Sequence, residues 1–184
     1  MKYFLLLTAA LAPASWSASI DSTRYAHPRG DYALTYPSDW KRSMGLQAVL
    51  VRPPGAAGRQ VSVTFERYPL GKDSPATPQG FETELRADVG RIKKLDSEGP
   101  ATVAGRKARR LALTTTAVLK DSYGSPLPGP RRELYMILPK EGDYYYVLKL
   151  VGVGAAFEQA VPEFDRIAAG LTLAKPAAAP AKKP

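Results

Sequence analysis

Few side chains in this chain of 184 residues could carry out chemistry, and their scarcity is informative. There is no cysteine and only one histidine, His27. Composition therefore excludes thiol nucleophiles, cysteine-rich metal sites, disulfides and multi-histidine metal sites. A histidine acting as general base needs a nucleophile and an orienting acid. His27 lies in Tyr25-Ala26-His27-Pro28-Arg29, with Asp21 and Asp31 close in sequence, but no Gly-x-Ser-x-Gly elbow accompanies it. The expectation is a solvated or locally hydrogen-bonded histidine. Glu82, Glu84 and Asp88 are expected on the polar side of one helix with Arg86, Arg91, Lys93 and Lys94. Opposite charges three or four residues apart support a helix; a glycosidase-like pair would need carboxylates converging across a cleft. There is no Asp-rich calcium loop and no Gly-rich phosphate loop. No catalytic, cofactor-binding or metal-ligating residue is expected, and no cofactor.

The cations are more abundant. The formal net charge is +9. Lys2 belongs to a leader and Lys175, Lys182 and Lys183 to a tail, which leaves +5 on the domain between them. Arg106, Lys107, Arg109 and Arg110 form the densest cluster, and Arg131 and Arg132 form another. If their strands pair antiparallel, Arg109 falls near Lys140 and the two clusters stand at opposite ends of a ladder ~30 Å long. Glu141 and Asp143 dilute the first cluster. With no stacking motif beside them, these cations do not predict a nucleic-acid groove. They are compatible with anionic surfaces such as phospholipid head groups or acidic polysaccharide. In Tyr144-Tyr145-Tyr146, alternation sends Tyr145 to one face and its neighbours to the other, so all three could be core. Trp40, after Pro37-Ser38-Asp39, is expected to plug the edge of the core. The connections Arg52–Gly58, Tyr68–Ala76 and Lys120–Pro130 are rich in Pro and Gly and could present a fixed surface to a partner.

The elements that must position these residues are mostly strands. Tyr32, Leu34 and Tyr36 alternate with smaller residues, as do Val61, Val63 and Phe65. Leu111, Leu113 and Thr115 share a face, and the pattern continues through Tyr135, Ile137, Tyr144, Tyr146, Leu148 and Leu150. Gly105 and Gly142 mark tight turns, so consecutive strands should be antiparallel. Two segments follow helical spacing instead. Thr77-Pro78 opens one as N-cap and first residue, followed by Phe81, Leu85, Val89 and Ile92, with Gly90 leaving its end open. Phe157, Val161, Phe164, Ile167 and Leu171 form the other, which either kinks at Pro162 or begins there. One apolar stripe on each predicts that both lie against a sheet.

Both ends of the chain differ from the middle. Met1-Lys2 followed by the apolar run Tyr3–Ala12 reads as a secretory leader, cut after Ser17 or two residues later. The run falls short of the ~20 residues that span a bilayer, and no lipid-modified cysteine can follow. From Ala174 onward Ala, Pro and Lys dominate, a composition expected to stay disordered.

Several of these residues together resemble the PsbP family. Asp31-Tyr32-Ala33-Leu34-Thr35-Tyr36-Pro37-Ser38-Asp39-Trp40 resembles its opening strand and Tyr-Pro-x-x-Trp turn. Gly105-Arg106-Lys107-Ala108 resembles the start of its long central strand. Tyr144–Leu150 with Phe157, Phe164, Ile167 and Leu171 resembles its closing strand and helix. The resemblance covers about Ile20 to Leu173. It implies an α+β domain, a central antiparallel sheet of about six or seven strands with helices packed on both faces. It also implies a binding or assembly role without shared catalytic residues. The expected organisation is a signal peptide at 1–17, a PsbP-like domain at 20–173 and a tail at 174–184. The expected function is that of an exported, soluble, non-catalytic accessory factor in the periplasm or outside the cell. Its partner would be another envelope protein or a surface polymer, with no nucleic acid and no transmembrane segment after processing. An anionic-surface binder is the alternative, and a hydrolase using carboxylates and His27 a further one.

Overall fold

The computed structural model describes residues 21–45, 47–71, 77–116 and 129–174. The expected leader, the expected tail beyond Ala174, and parts of the Tyr68–Ala76 and Lys120–Pro130 connections lie outside them. The first strands, β1 (Ser22–Ala26) and β2 (Tyr32–Pro37), pair antiparallel, and a two-residue strand near the end of the chain, Thr172–Leu173, adds to β2. The alternating segment at Tyr32–Tyr36 thus belongs to a small three-stranded sheet of its own.

The main sheet has seven antiparallel strands. Its order across the sheet is β3 (Lys41–Met44), β4 (Ala48–Arg52), β5 (Val61–Pro69), β9 (Tyr144–Val153), β8 (Arg131–Ile137), β7 (Arg106–Thr115) and β6 (Lys93–Val103). Strands β5, β7, β8 and β9 are legible in the sequence because they are central and carry the large apolar side chains of the core. The edge strands β3 and β6 carry no such signal. All four residues of β3 are exposed, and β6 mixes charge with Gly99 and Pro100. Proline is tolerated there because an edge strand has a free hydrogen-bonding side. The Ala104-Gly105 turn between β6 and β7 holds both residues at positive φ, 51° and 72°, the mirror-image geometry that matches strand twist.

Helix α1 (Pro78–Ala87) starts as expected: the Thr77 hydroxyl oxygen accepts from the Gly80 N–H at 3.0 Å. It ends sooner than the apolar spacing suggests. Gly90 adopts φ +87°, and the Asp88 carbonyl accepts from the amides of Arg91, Ile92 and Lys93. Lys93 and Lys94, expected on the helix's polar side, are instead the first residues of β6. Helix α2 (Gly154–Gly170) runs unbroken through Pro162. The proline ring faces solvent, where water can satisfy the carbonyl it frees.

The two helices cover opposite faces of the main sheet. On one face Phe157, Phe164 and Ile167 of α2 and Tyr32 and Leu34 of β2 pack on Phe65, Leu148 and Leu150. Each fully buried side chain of this kind contributes about 1.5–3 kcal/mol. On the other, Phe81 and Leu85 of α1 cover Leu111, Leu113, Tyr135, Tyr145 and Val147. Trp40 is buried in the first cluster, as its turn predicts, with its backbone N–H donating to the Pro37 carbonyl.

Candidate functional site

The lone histidine does meet an acid. Nδ1 of His27 lies 3.2 Å from Asp31 Oδ2, but it is not aligned for a hydrogen bond and has no other partner. Arg67 holds the same carboxylate oxygen, and its guanidinium lies 4.5 Å over the Tyr144 ring. The imidazole stacks on Tyr32 at 4.8 Å. Burial lowers the His27 pKa; Asp31 opposes that effect, while Arg67 and Arg29 add to it. Among the described residues no hydroxyl hydrogen-bonds to the imidazole. The Tyr32 phenol is pushed up to about 12, chiefly by burial.

The tyrosine run divides as alternation predicts. Tyr145 is buried under α1, Tyr146 is buried on the α2 side, and Tyr144 is half-buried beneath Arg67. The helix acids serve as structural partners. Glu82 accepts from Arg86 at 2.8 Å and from Arg109 at 3.3 Å; burial alone would raise its pKa, but these two guanidinium groups hold it below the usual range. Asp88 pairs with Arg91.

The three arginines of the densest cationic cluster in the sequence are all paired in space. Arg106 pairs with Glu141, Arg109 with Glu82 and Glu98, and Arg110 with Asp165 at 2.7 Å. The β7–β8 pairing is antiparallel, with Arg109 opposite Ile137 and Thr114 opposite Arg132. The two clusters therefore stand toward opposite ends of the ladder, as the spacing predicts, with Arg109 opposite Ile137 rather than near Lys140. Arg132 pairs with Glu158 and covers the Phe157 ring.

Arg131 is different, because folding brings it to two arginines that the sequence does not group with it. Arg52, at the end of β4, and Arg59, on a short 3₁₀ turn at Ala57–Arg59, line one cleft of about 390 Å³ with Arg131, and Ser62 adds a hydroxyl. None of the lining residues is acidic. Among the described residues neither Arg52 nor Arg59 has a carboxylate partner. Lys41 stands directly opposite Arg52 in the β3–β4 pair. Like charges so placed cost stability, which raises the question of what they face.

The cleft wall is rigid backbone. The turn is closed by Arg59 N–H to Ala56 O at 3.1 Å and Gln60 N–H to Ala57 O at 2.9 Å, and Gln60 O accepts from Val153 N–H at 3.1 Å. A Cβ at Gly152 would lie 2.8 Å from Val61 Cγ2, and one at Gly58 would collide with the Pro53 carbonyl oxygen. Only glycine lets the turn approach the sheet this closely.

Beneath Arg131 lies Glu133, only 4% exposed. Its Oε2 accepts from Lys93 at 2.9 Å and Tyr135 at 3.0 Å, and Arg131 Nε stands 3.1 Å from Oε1 without the alignment of a hydrogen bond. Burial would raise the Glu133 pKa, but Lys93, Tyr135 and Arg131 together hold it low. Two cations thus share one carboxylate. The proline-rich Arg52–Gly58 segment hints at this site in sequence; Arg59 gives no local signal.

Comparison of the sequence with known protein families finds no match, and none is found among curated proteins. Solved structures do match. The solution structure of cyanobacterial PsbP from Synechocystis sp. PCC 6803 superposes with a TM-score of 0.55 at 14% identity, over 92% of this chain and 99% of that one. The Ran-binding protein Mog1p of Saccharomyces cerevisiae matches with a TM-score of 0.52 at 9% identity, over 83% and 95%. A protein from Bacteroides thetaiotaomicron VPI-5482 matches at 0.54 and 14% identity over 83% of this chain, which spans about half of that protein's length (48%). The chain has a PsbP-like fold. Fold likeness at such identities transfers no residue roles.

Proposed function

We propose that this chain is an exported, non-catalytic accessory factor that holds its partner through an anionic group seated between Arg52, Arg59 and Arg131. The observation that carries the reading is the contrast in charge compensation. The arginines of the dense 106–110 cluster are matched by carboxylates, whereas Arg52 and Arg59 face a cleft with no acid among its described lining residues. A guanidinium presents a planar fork of donors suited to oxyanions, and three around one cleft make an anion receptor. A fold shared with a Ran-binding protein supports a binding role, and the leader at 1–17 supports export. The domain at 20–173 would engage an acidic envelope protein or an acidic surface polymer.

The test is binding of the intact chain to immobilised polyglutamate and acidic polysaccharide as salt rises from about 0.05 to about 0.2 M. Affinity should fall steeply, because screened charges lose their reach. It should also fall in Arg52→Gln and Arg59→Gln but not in Arg109→Gln, whose guanidinium is already occupied. Binding that ignores both salt and the first two substitutions refutes the proposal.

A further inference from the structure

The charge around the cleft can be counted. Arg52 and Arg59 contribute one positive charge each, with no carboxylate paired to either among the described residues. Lys93 and Arg131 share Glu133 alone, which leaves one more. The surplus is +3, gathered around a wall held in place by the Gln60–Val153 hydrogen bond and by glycines at 58 and 152. Glu133 is already satisfied at Oε2 by Lys93 and Tyr135, and the Arg131 side chain is 42% exposed. Arg131 can therefore turn its outer nitrogens to a ligand without leaving a buried carboxylate unpaired.

A carboxylate brings one charge and two oxygens to such a site. A sulfate ester brings three peripheral oxygens but one charge. A phosphate monoester brings three oxygens and a charge of about −1.5 to −2 at neutral pH. Three guanidinium forks and a surplus of +3 match the last best, since each fork can take an oxygen edge and it offsets more of the surplus than either of the others. From this we infer that the cleft is a receptor for a phosphomonoester group. The inference rests on the cleft being the binding surface, as proposed above. The source of the group is either a phosphomonoester lipid head group or a soluble phosphorylated molecule; the chemistry recognised is the same.

The experiment is an amide-resolved NMR titration of the intact chain with inorganic phosphate, sulfate and acetate at matched ionic strength. Phosphate should move the amides of Gly58 to Ser62 and Val151 to Val153 saturably and bind about tenfold more tightly than acetate. Its affinity should drop as pH falls from about 8 to about 5, where the phosphate dianion takes up a proton and loses one of its two negative charges. Arg59→Gln, an exposed position whose change should leave the thermal transition in place, should weaken phosphate about tenfold, the loss of one charge-assisted contact. Arg109→Gln should not. Vesicles containing phosphatidic acid, set against phosphatidylglycerol, separate the sources. Preference for phosphatidic acid supports a lipid ligand; no vesicle binding with phosphate binding retained supports a soluble one. Equal affinity for phosphate and acetate, or phosphate binding untouched by Arg59→Gln, overturns the inference. If polyglutamate then still binds in an Arg59-dependent way, the cleft stands as a binding surface and only the phosphoryl assignment fails. If polyglutamate also ignores Arg59, both fall.

Discussion

Replacing Glu133 by glutamine removes one charge from the base of the arginine cleft while keeping the side chain's shape and one acceptor for Lys93 and Tyr135. Glu133 is nearly fully buried, whereas the Lys93 side chain is 17% exposed. An ion pair at ~3 Å in an effective dielectric of about 20 has a gross interaction of roughly 5–6 kcal/mol. Lys93 partly reaches water and glutamine still accepts its hydrogen bond, so the net loss should be nearer 2–3 kcal/mol, below the range for a fully buried pair broken on one side. For a chain of this size that lowers Tm by about 4–12 °C. The assay is thermal unfolding of both forms at neutral pH and again in acid. The pKa of Glu133 is lowered by folding, so its stabilisation is fully present above the ordinary value of 4.5 and disappears as pH falls through the folded value. The gap between the two proteins should therefore close in acid. The same variant gains one positive charge at the cleft and should bind phosphate more tightly while being less stable. Equal Tm at neutral pH, or a gap that persists in acid, would refute the assignment of Glu133 as the carboxylate shared by Lys93 and Arg131.

Two further outcomes follow from the geometry. Gly58→Ala sets a methyl group against the Pro53 carbonyl oxygen; the turn must shift, at about 1–3 kcal/mol, and the displaced Arg59 should weaken anion binding beyond the change in Tm, measured by parallel melting and titration. His27 has a pKa lowered by burial, so the unfolded chain takes up its proton first. Stability should fall as pH drops below 6.5 toward the folded value, and His27→Gln should flatten that part of a Tm-against-pH curve.

Much of the architecture is legible in the residues. Alternation at Val61–Phe65 and Tyr144–Leu150 marks central strands, because burial on a pleated surface repeats every two residues. Thr77-Pro78 marks a helix start, because capping chemistry is local. Strands β3 and β6 escape that reading, since an edge strand has little to bury. The helix that apolar spacing extends to Ile92 stops at Ala87, because Gly90 and the Asp88 carbonyl turn the chain first.

Sequence alone determined the strand-rich α+β class, the scarcity of catalytic side chains and the separation of the two cationic clusters along a ladder. Tertiary structure decided which cations matter. Glu141, Glu82, Glu98 and Asp165 come from four other segments to quench the cluster that looks strongest on paper. The β4, β5, β9 and β8 pairings carry Arg52, Arg59 and Arg131 to one end of the sheet. Periodicity is a property of neighbours along the chain, whereas charge compensation is a property of neighbours in space.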